Sequence, residues 1–262
     1  MNKIDLKFKE LKEKNEKALI PFIAVGYPSF SKTVEVAKAL EKAGADIIEL
    51  GIPYSDPLAD GPVIESAYSS VLKKGVKLKD MLECVGEITS EIEIPVIIMV
   101  YYNVVFCRGV EKFIEELSCL GVSGLIIPDV PLEEREELLN LCNEKEISLI
   151  PLVAPTSKER IKKITYNSNG FVYCVSHAGN TGKQKIMNNN IKNYLEEVKA
   201  NTKTPICVGF GISSIETANA VKDYCDGIII GSAIVKRISN DKKFEKSKKD
   251  IFKFVKSIKE HL

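Results

Sequence analysis

The sequence lacks the residue patterns from which metal sites and disulfide frameworks are built. Histidine occurs only twice, at position 177 and at position 261 beside the C-terminus, so a His-rich metal site is not expected. The seven cysteines are widely spaced, odd in number, and form no Cys-x-x-Cys pair. Because most of them lie in apolar runs, we expect reduced, buried thiols that form neither a disulfide framework nor a metal site.

A charge of one sign and long apolar runs are also missing. The 37 Lys and Arg residues nearly cancel the 36 Asp and Glu residues, which leaves a formal net charge of +1. Nothing in this balance favours nucleic acid or another acidic polymer as a partner. The N-terminus has no apolar signal core, and no run approaches the roughly 20 apolar residues of a membrane span. The sequence therefore predicts a soluble cytoplasmic protein with no nucleic-acid or membrane partner.

What the sequence does contain is an alternation of short apolar runs and charged amphipathic stretches. Apolar strands separated by helices pair in parallel through right-handed crossovers, so the pattern indicates an α/β protein. Eight such units in 262 residues predict a closed (β/α)8 TIM barrel better than an open doubly wound sheet. No linker or low-complexity segment divides the chain, and we expect one domain over residues 1–262. The predicted strands span residues 19–25, 47–52, 96–102, 124–129, 149–154, 171–176, 206–211 and 227–231.

Two predicted helices are additions to the eightfold plan. The first spans residues 4–14 and places Ile4, Phe8 and Leu11 on one face. The second lies near residues 79–89. The other predicted helices span residues 33–43, 64–74, 111–120, 133–145, 158–165, 191–200, 215–224 and 244–262.

Glu49 is the exception inside an otherwise apolar predicted strand. An unpaired buried charge is costly in free energy, and a lone Glu in such a strand is usually salt-bridged or on a sheet edge. Because side chains alternate along a strand, Glu49 and Ile47 share one face while Ile48 and Leu50 share the other. Barrel enzymes carry their chemistry at the C-terminal ends of the strands. We therefore predict that Glu49 points into the barrel near its mouth, where a substrate can reach it.

Glycine-containing stretches follow the last three predicted strands, at residues 176–182, 209–213 and 231–235. Glycine lets the backbone approach a ligand closely, and Ser232 is predicted to begin a short helix whose free N–H groups can hold an anion. Each stretch alone could equally form a tight turn. Because loops after the seventh and eighth strands often bind phosphate in barrels, the three together predict a phosphate site.

Residues 48–62, Ile-Glu-Leu-Gly-Ile-Pro-Tyr-Ser-Asp-Pro-Leu-Ala-Asp-Gly-Pro, closely resemble the signature of the tryptophan synthase α subunit family. The resemblance runs from about residue 4 to the end of the chain. Its glycine motifs are shared with other phosphate-binding barrels, such as sugar-phosphate epimerases, whereas residues 55–62 are much more specific. The other matching stretches, in order, are residues 21–28, 99–103, 128–131, 209–213 and 231–236.

The resemblance implies a lyase that cleaves indole-3-glycerol phosphate to indole and glyceraldehyde 3-phosphate by a retro-aldol reaction. It implies that Glu49 protonates the indole ring at C3 and helps to remove the glycerol hydroxyl proton. It also implies that Asp60 holds the indole N–H and stabilises positive charge on the ring nitrogen. Neither a metal nor an organic cofactor is expected in this chain, since pyridoxal phosphate belongs to the partner β subunit of the family.

The same resemblance assigns the remaining site residues. Substrate-pocket residues would be Phe22, Tyr101 and Tyr173, for which core packing is the alternative interpretation. Residues 54–61 would lie over the site, with Asp56 facing the partner, and residues 177–190 would form a lid. Thr181 would then bond Asp60 when the lid closes. The phosphate would be held by Gly182, Gly209, Gly211, Gly231 and Ser232.

The sequence departs from the family pattern at Ala24, His177 and Asn180, where Thr, Arg and Val are more usual. These departures affect the lid and not the two carboxylates. His177 is interpreted as a solvated loop residue and not as a catalyst.

The expected assembly is an α2β2 tetramer with the tryptophan synthase β subunit, which takes up the indole. Two alternatives remain open at this point. One is a stand-alone indole-releasing lyase that needs no partner, and the other is a non-catalytic barrel subunit.

Overall fold

The strands of the protein form one parallel sheet in the computed structural model, which describes residues 2–175, 189–209, 211–238 and 243–262. Along the sheet the strand order is β5-β4-β3-β2-β1-β9-β8-β7-β6. Each neighbouring pair is parallel, as the alternation of strands and helices predicts. The strands are β1 Ala18–Ala24, β2 Ile48–Gly51, β3 Val96–Met99, β4 Gly124–Ile126, β5 Ser148–Leu149, β6 Leu152–Val153, β7 Val172–Val175, β8 Ile206–Gly209 and β9 Gly227–Ile230.

The sheet closes on itself through the segment that contains β5 and β6, which was predicted as one strand over 149–154. Its first half pairs with β4, and the N–H of Ile150 donates to the Leu125 carbonyl at 2.9 Å. Its second half pairs with β7, and the N–H of Tyr173 donates to the Pro151 carbonyl at 2.9 Å. Proline has no N–H for a ladder, so Pro151 divides the strand where it changes partner. The ring therefore has eight barrel strands, and the predicted (β/α)8 fold is confirmed.

The helices follow the predicted order, with shifted ends. Three predicted helices begin or end in a short 3-10 turn, at Leu132–Glu134, Lys158–Arg160 and Lys222–Tyr224. The predicted strand over 96–102 ends at Met99, because the N–H of Tyr102 donates to Asp129 at 2.8 Å and begins a helix that was not predicted. The α-helices are α1 Lys3–Glu13, α2 Phe30–Lys42, α3 Pro62–Leu72, α4 Leu78–Glu91, α5 Tyr102–Arg108, α6 Val110–Cys119, α7 Arg135–Glu144, α8 Ile161–Thr165, α9 Asn189–Asn201, α10 Ile215–Asn219, α11 Ser232–Val235 and α12 Phe244–Lys259.

Alternation along the strands divides the buried apolar side chains into two clusters. The outer cluster lies between the sheet and the helices and contains, for example, Ile48 and Leu50 of β2. The inner cluster fills the barrel and contains Ile47, Phe22 and Ile97. Both faces of the sheet are therefore covered, which accounts for strands that are apolar throughout.

Helix α1 packs onto the inner cluster at the N-terminal end of the barrel. Its buried residues Ile4, Phe8 and Leu11 belong to that cluster, as their shared face predicts. The Phe8 ring lies 5.9 Å from that of Phe171, which stands just before β7. Asp5 accepts a hydrogen bond from the N–H of Gly170 at 2.9 Å. This helix covers the amino ends of the strands and leaves the carboxyl ends for chemistry.

The cysteines follow the prediction in part. All seven are free thiols, and five of them are buried. Cys107 of α5 and Cys119 at the end of α6 are exposed, so the expectation of burial is wrong for these two. Among the described residues, no helix is both long enough and apolar enough to cross a membrane.

Candidate active site

Glu49 lies in the middle of β2 and points into the barrel, as alternation predicts. Ile47, two residues before it, belongs to the inner cluster, whereas Ile48 and Leu50 belong to the outer one. In register it pairs with Phe22 of β1 and Ile97 of β3. The side chain is 1% exposed. A carboxyl group is therefore held among the apolar side chains of the inner cluster.

Neither oxygen of the Glu49 carboxyl has a hydrogen-bond partner among the described residues. Asp46, which lies just before the same strand, shows the ordinary arrangement for a buried carboxylate. It accepts hydrogen bonds from the N–H of Leu19 at 2.7 Å and from Lys259 Nζ at 2.9 Å. Burial raises the pKa of Glu49 to about 8, and the nearby charge of Asp60 adds to the rise. Glu49 can thus exchange a proton near neutral pH.

Asp60 lies at the end of the loop that joins β2 to α3. Its own N–H donates to the Pro57 carbonyl at 3.1 Å, and Gly61 caps α3 with Pro62 in the first turn. This turn directs the Asp60 side chain inward, where it is 5% exposed. Burial raises its pKa to about 6, and a hydrogen bond from Tyr101 opposes the rise. Above that pKa, Asp60 is a carboxylate beside Glu49.

Tyr101 holds the Asp60 loop in place from the end of β3. Its hydroxyl donates to Asp60 Oδ2 at 2.9 Å and accepts from the N–H of Ala59 at 2.9 Å. The ring stacks on Tyr54 at a centroid distance of 5.1 Å. Two aromatic rings and two hydrogen bonds therefore fix the position of the Asp60 carboxylate.

Asp56 lies on the same loop but faces outward. It is exposed and accepts a hydrogen bond from Ser55 Oγ at 2.5 Å. Leu58 is 82% exposed. The two acids of the loop are therefore separated, with Asp60 toward the barrel and Asp56 toward the surface.

Phe22 connects the β2 side of the mouth to the β9 side. A Cβ atom added at Gly51 would lie 2.4 Å from the tip of the Phe22 ring, so a larger residue there would have to displace this ring. A Cβ atom added at Gly231 would lie 3.6 Å from the base of the same side chain. Phe22 is 3% exposed and thus forms an apolar wall between Glu49 and the end of β9.

Tyr173 enters the site from β7 and is 4% exposed. Its hydroxyl would lie 2.3 Å from a Cβ atom at Gly209, so the glycine makes room for this ring at the end of β8. Burial raises the pKa of Tyr173 well above its usual value, with contributions from Glu49 and Asp60. Tyr173 therefore stays a neutral hydroxyl group facing both carboxyls.

The remaining predicted glycines lie at the carboxyl ends of the last two strands. Gly211 has a φ of +85°, a conformation that favours glycine. Gly231 precedes α11, and Ser232 is the first residue of that helix, as predicted. The predicted anion-binding residues Gly209, Gly211, Gly231 and Ser232 thus lie at the same end of the barrel as Glu49 and Asp60.

Two predicted site residues, Thr181 and Gly182, lie outside the described residues, as do His177 and Asn180. The last two residues of the predicted lid, Asn189 and Asn190, belong to α9. Ala24, where the family pattern more often has Thr, lies in the inner cluster. Wherever the chain is described, no group of three or more His, Cys, Asp and Glu side chains is arranged to hold a metal ion.

Sequence reasoning missed Tyr68 and Tyr54. Tyr68 shares the buried stripe of α3 with Ile64, Ala67 and Val71, a helical spacing that predicts burial only. It does not reveal that α3 faces the barrel interior, where Ile64, Ala67 and Tyr68 join the inner cluster. For Tyr54, no sequence signal predicts the stacking on Tyr101.

The sequence matches one family model along almost its full length. The model described as Tryptophan synthase alpha chain matches residues 8–262. The tryptophan synthase alpha chain of Clostridium beijerinckii is 53% identical over 243 residues, which are 92% of this chain and 94% of that protein. The one from Caldanaerobacter subterraneus subsp. tengcongensis is 50% identical over 262 residues and covers 100% of both chains.

Solved structures agree with this similarity. A structure from Aquifex aeolicus has a TM-score of 0.90 at 39% identity and covers 100% of this chain and 99% of that chain. A structure of tryptophan synthase from Mycobacterium tuberculosis has a TM-score of 0.90 at 32% identity, covering 99% of this chain and 98% of that chain.

Proposed function

We propose that Glu49 and Asp60 are the catalytic pair of this chain, which belongs to the tryptophan synthase alpha chain family. The family cleaves indole-3-glycerol phosphate to indole and glyceraldehyde 3-phosphate, a step of tryptophan biosynthesis. The alpha chain carries no cofactor, since pyridoxal phosphate is in the beta chain. The observation that supports the pair best is the buried Glu49 carboxyl, which has no hydrogen-bond partner among the described residues.

Glu49 acts first as an acid and then as a base. Its carboxyl gives a proton to C3 of the indole ring, and the resulting carboxylate takes the proton of the glycerol hydroxyl beside that carbon. The carbon–carbon bond then breaks, with the hydroxyl becoming the aldehyde and the bonding electrons returning to the indole ring. Glu49 gives up one proton and takes up one, so it is again a protonated carboxyl group at the end of the reaction. A pKa raised to about 8 suits both transfers near neutral pH.

Asp60 stabilises the intermediate in which the ring nitrogen carries positive charge. The carboxylate accepts a hydrogen bond from the indole N–H. The hydrogen bond from Tyr101 fixes the position of this carboxylate before the substrate arrives. A preorganised charge stabilises a developing cation without reorganising during the reaction. Asn at this position would keep the size of the side chain and remove the charge.

The substrate then extends from the carboxyl pair toward the end of β9. Phe22 and Tyr173 line the indole end, and Tyr101 acts through Asp60. The phosphate is held by Gly209, Gly211, Gly231 and Ser232, together with Gly182. The support for this placement is Phe22, whose side chain reaches from Gly51 to Gly231.

The exposed loop supports contact with the beta chain in an α2β2 tetramer. Leu58 of this loop is 82% exposed, and Phe106 of α5, the helix that follows the carboxyl end of β3, is 66% exposed. In this proposal Asp56 faces the beta chain, and Thr181 bonds Asp60 from a lid over residues 177–190. The chain works as one domain over residues 1–262 in the cytoplasm, on a small-molecule substrate and without nucleic acid.

An indole-release assay on indole-3-glycerol phosphate, with and without added beta chain, tests this function. We expect slow release by the chain alone and faster release when the beta chain is present. Equal rates in both conditions would favour a stand-alone lyase. Absence of indole release in both conditions would favour a non-catalytic barrel subunit and would overturn the proposal.

A further inference from the structure

Tyr68 brings a buried phenol hydroxyl to the strand that carries Glu49. The residue belongs to α3, immediately after the Asp60 loop, and it is 1% exposed. Its hydroxyl oxygen would lie 2.2 Å from a Cβ atom added at Gly51. The hydroxyl thus occupies the place that a side chain at position 51 would take.

Gly51 and Glu49 share the inward face of β2, since they are two residues apart. Two residues of a strand span about 6.6 Å, a distance that a glutamate side chain covers in large part. The Tyr68 hydroxyl therefore lies one step closer to the mouth than Glu49 and on the same side of the strand. Burial raises the pKa of Tyr68 well above its usual value, with contributions from Asp60, Tyr101 and Glu49. The phenol accordingly remains a hydrogen-bond donor.

We propose that Tyr68 is a positioning residue that donates a hydrogen bond to the Glu49 carboxylate once Glu49 has protonated the indole ring. This inference rests on the proposed catalytic role of Glu49. Neither Glu49 oxygen has a partner among the described residues, so the carboxylate formed during turnover needs a donor inside the barrel. The hydrogen bond orients the carboxylate for removal of the glycerol hydroxyl proton and favours the charged form.

Other groups around Glu49 have different roles. Asp60 is an acceptor already held by Tyr101. Tyr173 faces Glu49 from β7, but its hydroxyl lies over Gly209 at the end of β8. Cys207 of β8 faces Tyr173, and burial raises its pKa well above the usual value. Tyr68 is thus the donor whose hydroxyl lies against Gly51 of β2, two residues beyond Glu49.

The test is Tyr68→Phe in the complex with the beta chain, which removes the hydroxyl and keeps the ring. We expect kcat for indole release to fall about tenfold. Losing one hydrogen bond to a charged group raises the activation free energy by about the amount that slows a rate by this factor. We expect KM to stay within about twofold, since the hydrogen bond forms after substrate binding. Titration of 13C-labelled glutamate, with Glu49 assigned by its loss in Glu49→Gln, should show the Glu49 pKa higher by about one unit.

Tyr194→Phe is the matched control. Tyr194 is also buried, but it lies in the outer cluster, where its hydroxyl donates to the Val153 carbonyl at 2.7 Å. This variant should lose thermal stability and keep the wild-type kcat and Glu49 titration. An equal fall in kcat in Tyr68→Phe and Tyr194→Phe would overturn the proposal. An unchanged kcat and titration in Tyr68→Phe, or a change in its KM alone, would also overturn it.

Two further measurements distinguish failure of the proposed function from failure of the role proposed for Tyr68. Full activity of Glu49→Gln would refute the proposed function itself, whereas an inactive Glu49→Gln with a wild-type Tyr68→Phe refutes only the role of Tyr68. If Tyr68→Phe does not fold, difluorotyrosine at position 68 keeps the shape and provides a stronger donor. The Glu49 pKa should then fall, and an unchanged pKa in that protein would contradict the proposal.

Discussion

At the scale of single residues, the contrast between Asp46 and Glu49 separates structure from chemistry. Both acids are buried at β2, but Asp46 is paired with Lys259 and a backbone N–H, while Glu49 has no such partner among the described residues. A buried, unpaired carboxyl lowers the stability of the folded state when it ionises. Glu49 therefore costs the fold stability, as the proposed proton-transfer role would require.

Because ionisation of the buried Glu49 lowers the stability of the folded state, we predict that Glu49→Gln gains stability in a pH-dependent way. The pKa of Glu49 is raised from 4.5 in the unfolded chain to about 8 in the folded protein. The folded state therefore binds the proton more tightly, and the stability that Glu49 contributes is lost as pH rises from 4.5 to about 8. Urea unfolding across that range should show Glu49→Gln gaining stability over the wild type as pH increases. The exposed Glu65→Gln is the control, and a pH-independent difference for Glu49→Gln would contradict the prediction.

Residue-scale sequence reasoning succeeded where a local rule applied. Alternation along a strand was enough to point Glu49 into the barrel. Asp60, by contrast, is a loop acid without any periodicity, and only the family resemblance singled it out. Its burial depends on Tyr101, which lies 41 positions away in the sequence, and no local pattern encodes such a contact.

At the scale of elements, the two ends of the barrel have different tasks. Helix α1 covers the amino end through Ile4, Phe8 and Leu11, whereas α3 covers part of the carboxyl end through Tyr68. In barrel enzymes the first end determines stability and the second carries the chemistry.

This division predicts that Phe8→Ala affects stability and not substrate binding. Loss of a buried aromatic ring should lower the free energy of unfolding by about 3 kcal/mol. Leu6→Ala is the matched control, because Leu6 lies on the same helix and is 50% exposed; it should change the free energy by less than about 0.5 kcal/mol. Urea unfolding measures both variants, and KM should be unchanged in the folded proteins. Equal destabilisation by the two substitutions would show that α1 does not seal the barrel.

Element order was predictable, but element ends were not. Apolar runs identified every barrel strand, yet the strand over 149–154 is divided at Pro151, and α5 was not predicted. Both differences arise from contacts with distant parts of the chain: the change of partner from β4 to β7 in one case, and the hydrogen bond from Tyr102 to Asp129, in the turn after β4, in the other. A single stretch of sequence does not contain that information.

At the scale of the whole molecule, barrel closure brings the two carboxyls and the predicted anion-binding glycines to one mouth. In sequence, Glu49 and Gly231 are far apart, but β2 and β9 both flank β1 in the sheet. Phe22 of β1 touches both ends. The arrangement of the proposed substrate site around Glu49 is thus a property of the closed barrel.

The most direct test of Glu49 as the proton-transfer group is indole release by Glu49→Gln in the complex with the beta chain. Gln has the size of Glu and cannot exchange a proton in this way, so the rate should fall at least about a hundredfold. Circular dichroism should show the folded protein, and Glu65→Gln, with the same change at an exposed position, should keep the wild-type rate. Indole release by Glu49→Gln at the wild-type rate would contradict the account.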